Sequence, residues 1–129
     1  IYSLINKNLL ASIHDCSKGG FITALLEMCI QGSLGVNINL HDIPNSVNNI
    51  HELLFSETHS RFIIEVTPDA LSSVVNMIKK TGLEFNTIGK VINNKIEIHD
   101  LNKTIIDSTL NKFQKCYLDS ISNIMEQLS

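Results

Sequence analysis

A chain of 129 residues, 43% hydrophobic and 18% charged, carries enough apolar matter for one compact core and is not the composition of a disordered tail. A net charge of −3 with ten scattered Lys and Arg residues speaks against nucleic acid, and no apolar run approaches the roughly 18–20 residues that cross a bilayer. No basic stretch followed by an apolar one suggests a signal peptide. The three distant cysteines, Cys16, Cys29 and Cys116, fit a reducing, cytoplasmic setting better than a disulfide framework.

The chain opens on Ile rather than Met, so a piece of a longer protein is expected. Leu4, Ile5, Leu9 and Leu10 recur at helical spacing and predict that residues 1–10 form the tail of a helix. Ser12 to Cys16 predicts a short strand running into Ser17-Lys18-Gly19-Gly20. A helix is then expected over Phe21 to Gln31, with Gly32 as its stop. Gly35 to Leu40 alternates Val36, Ile38 and Leu40 with Asn37 and Asn39, the period of a half-buried strand. Asp42 to Asn49, with Pro44, reads as a loop, and Ile50 to Phe55 as one or two helical turns.

Arg61 to Val66 predicts a strand, and Pro68 opens a helix capped by Thr67. Its expected buried face is Leu71, Val74, Val75 and Ile78, and Gly82 ends it. Glu84 to Val91 reads as another strand, and Asn93-Asn94 as a tight hairpin into Ile96–Ile98. Lys103 to Ile106 is a further short strand. A last helix is expected from Asp107 or Ser108, with Leu110, Phe113, Tyr117, Leu118, Ile121, Ile124, Met125 and Leu128 inward. Cys29 and Cys116 fall in helices as core or boundary residues. The alternation predicts a single domain over residues 1–129 with an α+β fold: a mixed β-sheet with helices packed on it, partly ferredoxin-like.

The stretch His14-Asp15-Cys16-Ser17-Lys18-Gly19-Gly20-Phe21 is the least ordinary. A strand end, two glycines and a helix make a turn whose N–H groups can hold an anion such as phosphate, or simply let the elements pack closely. His14 and Asp15 suggest an acid–base pair, but neighbours on a strand point to opposite faces. The plainer reading has Asp15 bracing the turn and His14 half-buried. Three consecutive ligands, His14, Asp15 and Cys16, make poor metal geometry. His41, His51, His59 and His99 share no spacing and take no role.

Downstream come Ala24-Leu25-Leu26-Glu27-Met28, then Gly32-x-x-Gly35-x-x-Ile38-x-Leu40, then Leu54-Phe55-Ser56-Glu57-Thr58-His59-Ser60-Arg61-Phe62, then Ile88-Gly89-Lys90-Val91. This ordered series resembles the carboxy-terminal domain of the aminoimidazole ribonucleotide synthetase superfamily, and within it the last domain of the formylglycinamidine ribonucleotide synthase family. Lys18 stands where that family usually has an acidic residue, and Phe21 where it has Leu. Thr58-His59-Ser60 varies its Ser-Gln-Gly wording.

The resemblance implies an ATP- and glutamine-dependent C–N ligase of purine biosynthesis that uses ATP and Mg2+. Nucleotide and metal groups in that family lie on amino-terminal domains, so no cofactor is expected on this domain alone, and the domain alone is expected to be inactive. The chain has no Walker-type loop, and its acidic residues do not cluster as a magnesium site requires. The implied substrate-binding residues are Ser56, Glu57, Thr58 and Arg61, with Gly19 and Gly20; Glu57 and Arg61 could instead form a structural ion pair. Implied partners are the enzyme's amino-terminal domains, a glutaminase subunit or domain and a small amide-carrier subunit. Nucleic acid and membrane are not expected as partners, and self-association through an uncovered apolar face is. The alternatives are another superfamily member, such as aminoimidazole ribonucleotide synthetase or selenophosphate synthetase, or a free-standing binding module.

Overall fold

A computed structural model describes residues 1–47, 49–57 and 59–127, except the side chains of 120–127. In chain order the elements are α1 (Tyr2–Asn6), β1 (Ser12–Asp15), α2 (Gly20–Gly32), β2 (Gly35–Asn39), a 3-10 turn (Leu40–Asp42) and α3 (Ile50–Phe55). They continue as β3 (Phe62–Glu65), α4 (Pro68–Lys79), β4 (Gly89–Ile92), β5 (Lys95–Asp100), β6 (Lys103–Thr109) and α5 (Leu110–Gln127). The fold is α+β with a mixed sheet and helices, and its strands form a two-stranded and a four-stranded sheet. The chain divides into two units: Ile1–Met28 with Pro44–Asn86, and Cys29–Ile43 with the residues from Thr87 on.

In the first unit β1 and β3 pair antiparallel, with His14 opposite Ile63 and Asp15 opposite Phe62. Ser12 Oγ donates to its cross-strand partner Glu65 at 2.7 Å. Leu4, Cys16, Phe21, Ile22, Ala24, Leu25, Leu53, Leu54 and Val74 are buried, the spacing of one apolar stripe on each helix. Helix α1 is shorter than the periodicity predicts, because Asn8 takes φ 52. Asn8 N donates to Ile5 O and Leu9 N to Leu4 O, the paired bonds of a helix end closed by a left-handed residue. At α4 Pro68 holds the first position and Thr67 the cap position, although the Thr67 side chain makes no capping bond. Of the expected inward face of α4 only Val74 is fully buried; Leu71 is exposed.

In the second unit the strand order is β4-β2-β5-β6. β4 is antiparallel and β5 parallel to β2, while β6 is antiparallel to β5. The expected hairpin at Asn93-Asn94 is therefore corrected: β4 and β5 flank β2 instead of pairing. Their short link passes close over the start of β2, where a Cβ on Gly35 would lie 2.0 Å from the Lys95 carbonyl oxygen. Only a residue without a side chain fits beneath such a crossing. The expected strand over 84–91 shrinks to its end, because β2 offers only Gly35–Ile38 for pairing, with one more bond from Asn39 N to Ile88 O. A strand without a partner leaves its N–H and C=O groups unpaired.

Val36, Ile38, Ile96 and Ile98 form the buried face of the sheet, joined in the unit's core by Cys29, Leu40, Ile43 and Leu110. Strand β6 runs on to Thr109, which pairs with Lys95, so α5 starts at Leu110, later than expected. Tyr117 and Leu118 are exposed, correcting their placement on the inner face, and Cys116 is exposed where a core or boundary residue is expected; Ile121, Ile124, Met125 and Leu128 lie outside the described residues or side chains. Helix α2 ends on Ser33 at φ 53, with Leu34 N bonded to Cys29 O. Ser33, not Gly32, supplies the left-handed residue.

Candidate functional site

The turn between β1 and α2 needs both of its glycines. Gly19 and Gly20 take φ 77 and φ 72, the left-handed region that a Cβ disfavours. A Cβ on Gly20 would also meet the Phe55 backbone at 2.6 Å, and one on Gly19 the Thr23 hydroxyl at 2.3 Å. That hydroxyl donates to the Gly19 carbonyl oxygen at 2.9 Å. The close approach of Gly20 to Leu54–Phe55 brings the end of α3, and the loop after it, against the turn.

Glu57 follows in that loop, and its Oε1 accepts the Gly19 N–H at 3.0 Å. The donor that a phosphate would use is thus answered by the protein's own carboxylate. Glu57 and Arg61 make no ion pair among the described residues. Arg61 Nη1 is buried without a hydrogen-bond partner among the described residues, whereas the Arg61 carbonyl accepts from Cys16 N at 2.9 Å. Ser60, just before, takes φ 64, so the loop enters β3 through a left-handed residue.

A groove of about 690 Å3 opens between these segments. Its polar wall carries Asp15, Ser17 and Lys18 from the turn and Glu57, His59 and Arg61 from the loop; Ile1, Ile5, Ile13 and Phe62 supply an apolar wall. Ile1, Ile5 and Phe62 are each close to half exposed. Cys16 is 2% exposed, and burial pushes its thiol above the ordinary 9.0, against the opposing pull of the Arg61 cation. A thiol held protonated is a poor nucleophile.

Of the six residues expected at a binding site, Glu57 and Arg61 line the groove. Gly19 holds Glu57, and Gly20 sets the approach of α3. Ser56 is the half-buried cap of α3, its N–H donating to Glu52 O at 2.9 Å, and does not line the groove. Thr58 lies outside the described residues. Sequence reasoning gave no role to His59, which lines the wall, or to Glu27, whose Oε2 lies 3.1 Å from His14 Nε2. The motif Glu27-Met28 was the available signal for the latter. Among the described residues no three His, Cys, Asp or Glu side chains are grouped as a metal ion requires.

Residues 1–101 match the family described as AIR synthase related protein, C-terminal domain. The chain belongs to this family. As an AIR synthase-related domain it is 35% identical over 126 residues to the phosphoribosylformylglycinamidine synthase subunit PurL of Pelagibacter ubique, covering 98% of the chain and 16% of that protein. It is 34% identical over 124 residues to PurL of Prochlorococcus marinus, covering 91% of the chain and 15% of that protein. The chain therefore spans about a sixth of the length of these relatives. In fold, it is similar to Thermotoga maritima PurL complexed with ATP, with a TM-score of 0.78 at 20% identity over 87% of this chain and 20% of that one. The same protein complexed with FGAR gives a TM-score of 0.77, over 87% of this chain and 19% of that one. No helix among the described residues is long and apolar enough to cross a membrane.

Proposed function

We propose that this chain is the carboxy-terminal domain of a PurL-type formylglycinamidine ribonucleotide synthase, a cytoplasmic ligase of purine biosynthesis. The observation that carries the reading is the 35% identity to PurL across 98% of the chain. The whole enzyme transfers a phosphoryl group from ATP to the formamide oxygen of formylglycinamide ribonucleotide. Ammonia released from glutamine by a glutaminase domain or subunit then attacks that carbon, and phosphate leaves with the oxygen. In this reading ATP and Mg2+ are held by the amino-terminal domains; among the described residues of this chain no three His, Cys, Asp or Glu side chains are grouped as a metal ion requires.

The domain's part is to supply one wall of a substrate cleft. Glu57 offers an acceptor held in place by Gly19, and Arg61 brings a cation to the same groove. Gly20 sets the distance between the two segments, and Ser56 and Thr58 belong to the same sequence motif as Glu57 and Arg61. The exposed apolar wall at Ile1, Ile5 and Phe62 supports docking with the amino-terminal domains, and in their absence self-association. A small amide-carrier subunit completes the assembly.

The test is direct. A full-length protein carrying this domain is assayed with formylglycinamide ribonucleotide, ATP, Mg2+ and ammonia or glutamine with the glutaminase. Substrate-dependent ADP release with formation of the amidine is expected, and none from residues 1–129 alone. Failure of the full-length protein to form the amidine under conditions where a characterised PurL does so overturns the reading.

A further inference from the structure

His14 lines the groove, yet its ring faces inward on two acceptors. Nδ1 lies 2.7 Å from the Asp15 carbonyl oxygen, to which it donates, and Nε2 lies 3.1 Å from Glu27 Oε2. The Asp15 carboxylate stands further off, 3.7 Å from Nδ1. Both partner side chains are about three-quarters buried, at 24% and 25% exposure. Glu27 sits two turns into α2, a helix that begins at Gly20, so the contact bridges β1 and α2 around the glycine turn between them. The same turn is tied to the β3 side by Cys16 N to Arg61 O and by Gly19 N to Glu57.

We propose that His14 is a positioning residue, clamped by Glu27, that fixes the turn presenting Gly19 to Glu57 at the groove. Each ring nitrogen already has a protein oxygen within hydrogen-bonding distance, the Asp15 carbonyl at Nδ1 and Glu27 at Nε2, so the ring serves the fold before any ligand. Its effect reaches a ligand only through the turn: when the clamp is released, Gly19 and Glu57 lose their fixed relation and the acceptor wall loosens. The consequence for catalysis rests on the proposed function above.

The experiment uses the full-length enzyme with His14→Ala, His14→Gln, His14→Asn and Glu27→Ala, alone and with His14→Ala and Glu27→Ala combined. His14→Ala is expected to raise KM for the ribonucleotide about tenfold while kcat stays within about twofold. His14→Gln, long enough to donate to Glu27, restores most of the affinity, and His14→Asn, too short to reach it, does not. The double variant is no worse than His14→Ala, the non-additivity of two halves of one contact. Loss of kcat at unchanged KM, or KM unmoved throughout, overturns the proposal. If His14→Ala does not fold, the Gln–Asn comparison decides. If the wild-type enzyme forms no amidine, the functional reading falls and the clamp is judged by exchange of the Gly19 amide. Exchange about tenfold faster in Glu27→Ala than in wild type upholds the clamp, and unchanged exchange removes it.

Discussion

The polar clusters of the two units differ in what they leave over. On the four-stranded sheet, Lys95 Nζ bonds Glu97 and lies 3.1 Å from Asp107, while Asn37 Nδ2 donates to the other oxygen of Glu97. Every member answers another across paired strands. Along the groove, Glu57 gives one oxygen to Gly19, Asp15 is an exposed carboxylate, and Arg61 Nη1 is buried with no hydrogen-bond partner among the described residues. A closed cluster braces a sheet; an open one keeps hydrogen-bonding capacity for a ligand to complete. The contrast teaches where to look for function where the described residues form no metal-ligand cluster: at the polar groups the fold has not used.

The glycines break each region first. Gly35→Ala drives a Cβ into the Lys95 backbone at 2.0 Å, and Gly20→Ala meets the Phe55 backbone at 2.6 Å with φ +72. Each is expected to cost about 3 kcal/mol or more, measured by urea unfolding. Gly82 has φ +72 but open space around it, so Gly82→Ala costs only about 1–2 kcal/mol, the strain alone. Equal losses at all three positions would contradict the close approaches described here.

Arg61→Met sharpens the contrast. It removes an unsatisfied donor, so unfolding free energy changes by less than about 1 kcal/mol, while KM for the ribonucleotide in the full-length enzyme rises about tenfold or more. A large loss of stability with unchanged KM would make Arg61 a structural residue. Glu57→Ala is expected to cost about 0.5–1.5 kcal/mol of stability through the lost Gly19 bond and to weaken substrate binding. Wild-type melting and kinetics together would remove Glu57 from the site.

The smallest effect lies on the sheet. The hydrogen bond from Lys95, then that from Asn37, holds the Glu97 carboxyl below its ordinary 4.5. The contribution is therefore present above pH 4.5 and lost as pH falls through the depressed folded value. Lys95, raised above 10.5 by its bonds to Glu97 and then Asp107, contributes below pH 10.5 and loses that contribution as pH rises through the raised value. Both groups are solvent-accessible, so the pair is worth little. Glu97→Gln should flatten the acid side of the stability–pH curve slightly and leave the groove variants' kinetics untouched.

Much of this was legible in the chain. Gly19-Gly20 announced a tight turn, Pro68 a helix start, and the alternation around Val36–Ile38 a half-buried strand, because each depends on local backbone sterics or on period. The order of the sheet was not legible: Asn93-Asn94 has the wording of a hairpin, and only the insertion of β2 between β4 and β5 reveals a crossing. Gly35 carried the clue, but a close backbone approach is visible only in three dimensions. The same holds for the site. Glu57 and Arg61 were marked by their motif, whereas the bond of Glu57 to Gly19 joins residues 38 apart, and the partnership of His14 with Glu27 needs a strand and a helix brought side by side.

The most direct test follows backbone amides of the 15N-labelled full-length enzyme as formylglycinamide ribonucleotide is added. The account predicts that Ser17, Lys18, Gly19, Glu57 and Arg61 shift together, with one saturation curve, while the amides of Asn37, Lys95, Glu97 and Asp107 stay still. Saturable binding that leaves the five groove amides unmoved would contradict it.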